Sequence, residues 1–392
     1  MADSLGIAVI GAGMAGRAHA AAYRTASTVY ESVLPPIRLV SIGDVNADFG
    51  RAAADRFGYA RTDSSWQAIA EADDIDVVSV VIANSLHRDV VTGLLEAGKH
   101  VLCEKPLSDS LANARAMADA ARTAPGAARV GFTFRRTPGI AFIRDLIRDG
   151  TLGSVRHFSG RYWTDYATSS RAPMSWRYQG GPGTGALGDV GSHLTYIAEF
   201  LCGEMKSVSG GQFSTVITER PEPLGAVTGH DHVAVSDSYV SVENDDVASY
   251  AAEFATGIGT LEVSRVAPGH PNGLMFEVFC ENGSAVFDQR RPGEIQLFID
   301  DDRPGTNGFR QVILGPEHPY LGGGLAMDAP GTGFGQNEAF VYQARSFLEE
   351  VAGIDEADSL PRCASFDEGV HNMEILAAVA DSAQANGKKV QL

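Results

Sequence analysis

The sequence predicts an α/β chain in two parts, a doubly wound parallel-sheet domain over residues 1–131 and an α+β domain over residues 132–392 built on a large, mostly antiparallel open sheet. Three observations predict it. Up to about residue 131, short apolar runs alternate with alanine-rich amphipathic stretches, the pattern of strands joined by crossover helices. Beyond it, strand-length runs alternate apolar and polar residues, as in sheets with one solvated face. The length, 392 residues, also exceeds what a single hydrophobic core usually fills.

Taken in order, "GIAVIG", "IRLVSIGD", "DVVSVVIA", "HVLCEK" and "ARVGF" read as the parallel strands. The stretch "RRTPGIAFIRDLIRDGTLG" reads as a helix ending at Gly150. The runs "VRHFSGRYW", "VASYAAEF", "GTLEVSRV", "LMFEVFC" and "SAVFD" read as the second sheet, with hairpin turns at Thr256-Gly257 and Asn282-Gly283. Two helices follow, around Asn337 to Val351 and around Phe366 to Ala385, and the last can pack back on the first domain. The Gly/Pro-rich stretch "GPEHPYLGGGLAMDAPGTGFG" between them and the hairpins reads as a long surface loop.

Composition narrows the function classes. A formal charge of −18 repels nucleic acid and anionic membranes, which need clustered Lys and Arg. Cys103, Cys202, Cys280 and Cys363 are scattered without a CxxC pair, which argues against a disulfide framework or structural zinc and fits a reducing cytoplasm. No apolar run reaches the ~18 residues a membrane span requires, and the N-terminus lacks a basic leader. The histidines of "HDH" at 230–232 and His318 lack ligand spacing, so no metal is expected.

The first chemistry-bearing motif is Gly11-Ala-Gly13-Met14-Ala15-Gly16, which follows a strand directly and opens a helix. Gly11 permits a tight turn, Gly13 a close approach of a pyrophosphate, and Gly16 close helix-to-strand packing, while the helix N-terminus offers N–H groups to the anion. Asp44 ends the second strand and can accept from both ribose hydroxyls while repelling a 2′-phosphate, which favours NAD over NADP. The inserted "STVYESVLPP" accounts for the long spacing from Gly16 to Asp44.

Two further constellations carry chemistry. Lys105 stands at the carboxyl end of a buried-looking strand, the edge of a parallel sheet where ligands bind, and can hydrogen-bond a reacting oxygen. Asp189 and His193 lie four apart behind the glycine run "QGGPGTG". If a helix begins there they share one face, and His193 has the intrinsic pKa to take a proton near neutrality while Asp189 orients it or relays the proton.

Glu104-Lys105-Pro106, Asp189-x-x-x-His193 and "IANSLHRD" together resemble the signatures of the Gfo/Idh/MocA oxidoreductases, the family of glucose–fructose oxidoreductase and inositol dehydrogenase. The resemblance covers essentially the whole chain. It departs where Ile82-Ala83 replace the commoner Thr-Pro, leaving Asn84 and His87 in register. It implies a Rossmann domain, a dehydrogenase acting on CH–OH groups of sugars, anhydrosugars, glycosides or cyclitols, catalysis by Lys105, Asp189 and His193, and cofactor contacts at Met14, Ala15, Ala83, Asn84, His87, Glu104 and Lys105. It also implies a homodimer or homotetramer, since a sheet with helices on one face only must bury the other.

The segment "RYWTDYATSSRAPMSWRYQGGPGTG", with "FTFRR", resembles the levoglucosan-dehydrogenase-like branch, in which a sugar ring is oxidised at its C3 hydroxyl. Trp163, Tyr166 and Trp176 can stack on a pyranose, and Asp165 and Arg177 can hydrogen-bond its hydroxyls. Arg135 and Arg136 suit either a charged ligand or a structural ion pair. Two other functions stay open, an NADP(H)-dependent keto-sugar reductase and a dinucleotide-sensing regulator without turnover.

Overall fold

Every residue of Leu5–Ile10 (β1) is buried, as befits the centre of a parallel sheet covered on both faces. The computed structural model describes residues 4–31, 34–225, 227, 233–300 and 305–392. After β1 come Met14–Ala26 (α1), Ile37–Gly43 (β2), Ala47–Phe57 (α2), Arg61–Asp63 (β3), Trp66–Glu71 (α3), Val77–Val80 (β4), His87–Glu96 (α4), His100–Cys103 (β5), Leu111–Thr123 (α5) and Ala128–Val130 (β6). The strands order as β6-β5-β4-β1-β2-β3, all parallel, and Ala364–Ser365 adds an antiparallel edge beside β6. The strand order reverses at β1, so the carboxyl ends of β1, β2 and β4 frame the crevice where this architecture takes ligands.

The second sheet follows Pro138–Arg148 (α6), whose helix stops just before the left-handed Gly150 (φ +84°). Its strands are Val155–Trp163 (β7) and, after Ser192–Cys202 (α7), Met205–Ser214 (β8); Glu219–Pro223 (β9) and Val235–Ser241 (β10) pair separately. Val247–Phe254 (β11), Ile258–Ser264 (β12), Gly273–Cys280 (β13), Gly283–Asp288 (β14), Glu294–Ile299 (β15) and Arg310–Ile313 (β16) complete it. The order is β16-β15-β14-β13-β7-β12-β11-β8, with Val390–Gln391 beyond β8, and only β7 and β12 run parallel. The second hairpin turns on Glu281-Asn282, one residue earlier than the sequence suggests, because Gly283 already pairs with Ile299.

Alternation along β7 sorts its side chains between two faces. Phe158, Gly160 and Tyr162 are buried towards α7, where a Cβ at Gly160 would lie 2.8 Å from Leu194 Cδ1. Ser159, Arg161 and Trp163 face the other way and line an open groove of about 520 Å³ with Glu262, Met275 and Glu277.

Gln336–Val351 (α8) and Phe366–Gln384 (α9) close the chain. The chain divides into two compact units, and the first is discontinuous, gathering residues up to Arg136, Tyr320–Asp328 and Phe334–Met373. The reason is apolar burial: Ala344, Phe347 and Leu348 of α8 share one core with β1 and with Ala20 and Tyr23 of α1. The inserted segment before β2 and part of the Gly/Pro-rich loop are joined in this unit, since Tyr30 N–H donates to Gly323 O at 3.2 Å and its hydroxyl to Tyr320 O at 2.8 Å.

Candidate active site

In the first unit, each fingerprint glycine has its own steric reason. A Cβ at Gly11, which stands at φ +106°, would lie 2.0 Å from Val81 O, and one at Gly16 would lie 1.8 Å from Gly11 O. A Cβ at Gly13 would meet nothing within 4 Å, so the backbone there borders open space. No side chain caps the N-terminus of α1, Met14 is exposed and Ala15 is half-buried. This is a cradle that fits a pyrophosphate. Asp44 stands beside it, its Oδ2 accepting the Ala12 N–H at 2.7 Å and its Oδ1 the Asn46 N–H at 2.8 Å. The carboxylate is thereby held at the end of β2, and the residue after it, Val45, is 94% exposed and carries no charge for a 2′-phosphate.

Behind the cradle lies a buried polar chain. His19 Nε2 is 2.9 Å from Glu104 Oε1, His19 Nδ1 is 3.0 Å from Ser79 Oγ, and Tyr23 reaches the same Ser79 oxygen at 2.9 Å. Glu104 Oε2 accepts the Lys105 N–H at 3.1 Å, which fixes the main chain from which the half-buried Lys105 side chain projects. Glu104 is itself buried, so its carboxylate serves this internal network. Ala83 and Asn84, both half-buried, lead into α4. His87 is 1% exposed, its Nε2 lying 3.1 Å from Ile82 O and its Nδ1 3.1 Å from Leu107 O. Burial holds its pKa below the usual imidazole value against the opposing effect of those carbonyls, so the ring is a neutral brace for the turn and does not reach the surface.

In the second unit, Leu187–Gly191 forms a π-helical turn that passes directly into α7. The expected straight helix is therefore widened where it carries Asp189, an irregularity common at functional sites. Asp189 and His193 are both half-buried. The Tyr166 hydroxyl donates to Asp189 Oδ2 at 2.8 Å, and burial together with that carboxylate pushes the phenol well above its ordinary pKa. Tyr166 is thus a fixed donor to Asp189. The Tyr162 ring lies 6.1 Å from that of His193 on the helix-covered face of the sheet.

The glycine run ahead of this turn approaches another part of the protein. A Cβ at Gly185 would lie 2.0 Å from Asp245 O. The Asp245 carboxylate accepts three main-chain N–H groups, from Gly183 at 2.7 Å, Gly185 at 3.0 Å and Leu187 at 2.8 Å. Next to it, Asp246 accepts from Arg265 Nε at 2.7 Å, and Asn244 donates to Arg177 O at 3.0 Å. Asn244, Asp245 and Asp246 are all fully buried. Nothing local in "VENDDVAS" announces this role; strand-end polar residues usually mark a turn.

The pocket residues separate. Trp163 lies on the open sheet face, its Nε1 donating to Glu262 Oε1 at 3.0 Å and the Arg161 guanidinium stacked 4.2 Å above its ring. That face is opposite to the one holding Tyr162 and His193, because one step along a strand reverses the face. Asp165 is half-buried in the turn after β7, where its carbonyl accepts from Thr168. Trp176 is 43% exposed and carries the Arg177 guanidinium 4.4 Å above its ring. Arg136 is fully buried in the first unit and donates to Ser346 Oγ at 2.8 Å, and Arg135 pairs with Glu368 at 3.4 Å, so both serve structure. His318 Nδ1 accepts the Gly315 N–H at 3.0 Å within its own loop. Among the described residues no group of three His, Cys, Asp or Glu is placed to hold a metal and no helix is long and apolar enough to cross a membrane. His230, Asp231 and His232 lie outside the described residues.

Residues 5–132 match the model of an oxidoreductase family with an NAD-binding Rossmann fold, and residues 140–286 match the C-terminal domain of the same family. Levoglucosan dehydrogenase of Pseudarthrobacter phenanthrenivorans is 35% identical over 359 residues, 89% of this chain and 90% of that protein. D-glucoside 3-dehydrogenase of Escherichia coli is 30% identical over 230 residues, 55% of this chain and 60% of that protein. A solved structure of levoglucosan dehydrogenase in complex with NADH and L-sorbose superposes with a TM-score of 0.89 at 33% identity, over 100% of this chain and 99% of that one. With the glycine cradle, the β2 carboxylate and both domain matches in one chain, this protein belongs to the Gfo/Idh/MocA family of oxidoreductases and carries that family's NAD-binding Rossmann fold.

Proposed function

We propose that the protein oxidises a secondary hydroxyl of a neutral pyranose, anhydrosugar or glycoside, at C3, with NAD. The observation that carries this reading is the half-buried Asp189 and His193 on a π-helical turn, with the Tyr166 hydroxyl on Asp189, in a chain related over nine-tenths of its length to a levoglucosan dehydrogenase. When bound, NAD supplies the hydride acceptor. His193 takes the hydroxyl proton as general base. Asp189, kept in one orientation by Tyr166, holds the imidazole or relays its proton. Lys105 hydrogen-bonds the reacting oxygen as carbonyl character grows, its main chain steadied by Glu104.

Trp176 presents an exposed ring for the C–H face of a sugar, and Arg177 presents donors to hydroxyls. A neutral sugar is favoured over a sugar nucleotide because two of the neighbouring cations are already engaged, Arg265 with Asp246 and Arg220 with Ala167 O and Ser169 O, which leaves no cluster of positive charge for a diphosphate. The open face of the second sheet, with Arg161, Trp163 and Glu262, is the surface we assign to self-association into a dimer or tetramer. A single monomer mass in light scattering would count against that assignment.

The test is NAD reduction across levoglucosan, glucosides, free hexoses, inositols and nucleotide-linked sugars, with His193→Ala, Lys105→Met and Trp163→Ala beside the wild type. Expected are turnover on a neutral sugar, a loss of about 100-fold or more in kcat for His193→Ala with NADH affinity kept, and little change in KM for Trp163→Ala. Unchanged turnover in His193→Ala sinks the assigned base. A strong preference for a nucleotide-linked sugar sinks the substrate class.

A further inference from the structure

We infer that Asp245 is a positioning residue for the proton-transfer pair, an internal anion that caps the entry to the π-helical turn and thereby sets where Asp189 and His193 stand. The inference rests on the reading of those two residues as the pair that handles the substrate proton. Three main-chain N–H groups, those of Gly183, Gly185 and Leu187, converge on its two carboxylate oxygens at 2.7, 3.0 and 2.8 Å. Its own carbonyl accepts a fourth, from Ala186 at 2.8 Å. Asp245 therefore takes the place of the N-cap side chain that the turn itself lacks, from a position 58 residues away along the chain from Leu187.

The contact is rigid on both sides. On the loop side, Gly185 packs so close to the Asp245 main chain that only a glycine fits. On the strand side, Asp246 accepts the Val216 and Ile217 N–H groups, both at 2.8 Å, as well as the Arg265 guanidinium, so residue 245 has no play. Hydrogen bonds to a buried ionised acceptor are among the strong ones, and Asp245 is fully buried. Asp189 enters the helix two residues after the last of these bonds and His193 six residues after it. A displacement of about 1 Å in such groups costs on the order of 100-fold in rate.

The test uses the full chain with Asp245→Asn, whose amide nitrogen opposes one of the N–H donors it replaces an acceptor for. Gly183→Ala, which disturbs one donor and leaves the carboxylate in place, stands in should Asp245→Asn fail to fold. Glu349→Gln is the stability control: this buried carboxylate of α8 accepts from Arg345 at 2.6 Å and from the Leu360 N–H at 2.8 Å, in the other unit. With levoglucosan as probe substrate, Asp245→Asn is expected to lower kcat about 30-fold or more while KM and the NADH dissociation constant stay within about threefold, and Gly183→Ala to lower kcat by several-fold. Amide exchange of the 183–191 segment should quicken in both. Glu349→Gln should lose a similar amount of stability and keep its kcat. The inference is overturned if Asp245→Asn keeps kcat within threefold, if its losses in kcat merely track stability as in Glu349→Gln, or if a folded Gly183→Ala has wild-type kcat and exchange. An inert His193→Ala would overturn the underlying reading, and an inert Asp245→Asn beside a damaged His193→Ala would overturn only this one.

Discussion

Two glycine-rich turns lead into helices in this protein, and they do opposite things. At Gly11–Gly16 the helix N-terminus has no side-chain cap and Gly13 borders open space, so the N–H groups of the turn are presented outward to an anion. At Gly180–Gly185 the N–H groups turn inward to Asp245, an anion the chain supplies itself. Both stretches look alike as sequence. What they teach is that glycine licenses a close approach without saying what approaches: a ligand in one case, and a strand end from elsewhere in the same unit in the other.

Alanine substitutions are the sharpest way to break that comparison. Gly16→Ala and Gly185→Ala each drive a Cβ to within 2.0 Å of a main-chain carbonyl oxygen, so both should unfold earlier in urea, by about 3 kcal/mol each. Equal stability of either variant with wild type would mean the close approach is not real. Gly13→Ala is the contrast. It should leave the urea midpoint within about 0.5 kcal/mol of wild type yet weaken NADH binding about tenfold, read by fluorescence titration, because the new methyl fills the cradle itself.

A smaller effect is expected at Asp44, which both holds the Ala12 N–H and stands where a ribose is read. Asp44→Ser should cut the preference for NAD over NADP about tenfold, seen as the ratio of the two dissociation constants. An unchanged ratio would remove Asp44 from the specificity argument.

The smallest effect concerns acid. Burial holds His87 and His100, both in the first unit, below their ordinary value of 6.5, so the unfolded chain binds more protons than the folded one below that pH. Their contribution is fully present above pH 6.5 and is lost as pH falls through the window beneath it. The unfolding free energy should therefore drop by about 1 kcal/mol per pH unit there, and His87→Gln should flatten that slope. A wild-type stability that does not change between pH 7 and 5.5 would contradict this.

The parallel sheet and its cradle were legible because their physics is local. A strand, a tight turn and a helix follow each other within a dozen residues, and the close approach that requires Gly16 is to the main chain of Gly11 in that same stretch. The α6, α8 and α9 helices were legible for the same reason, the end of α6 being written in Gly150. The strands β8, β9, β10, β15 and β16 were not, since these are short or polar segments that become strands only by pairing with neighbours already in place.

By itself the sequence determined the two-part architecture, the dinucleotide fingerprint, the carboxylate at Asp44 and the presence of Lys105, Asp189 and His193. Only the tertiary structure decided which way the remaining side chains look. Trp163 and Tyr162 are adjacent in sequence, yet one faces the open groove and the other faces α7, because a strand places neighbours on opposite sides and only packing says which side is covered. Nothing in the sequence says that the Tyr166 hydroxyl sits on Asp189, and Asp245 reads as a turn residue until three N–H groups are found on its carboxylate. Such contacts join segments tens of residues apart, and no local propensity or spacing encodes them; they exist only once the chain has closed on itself.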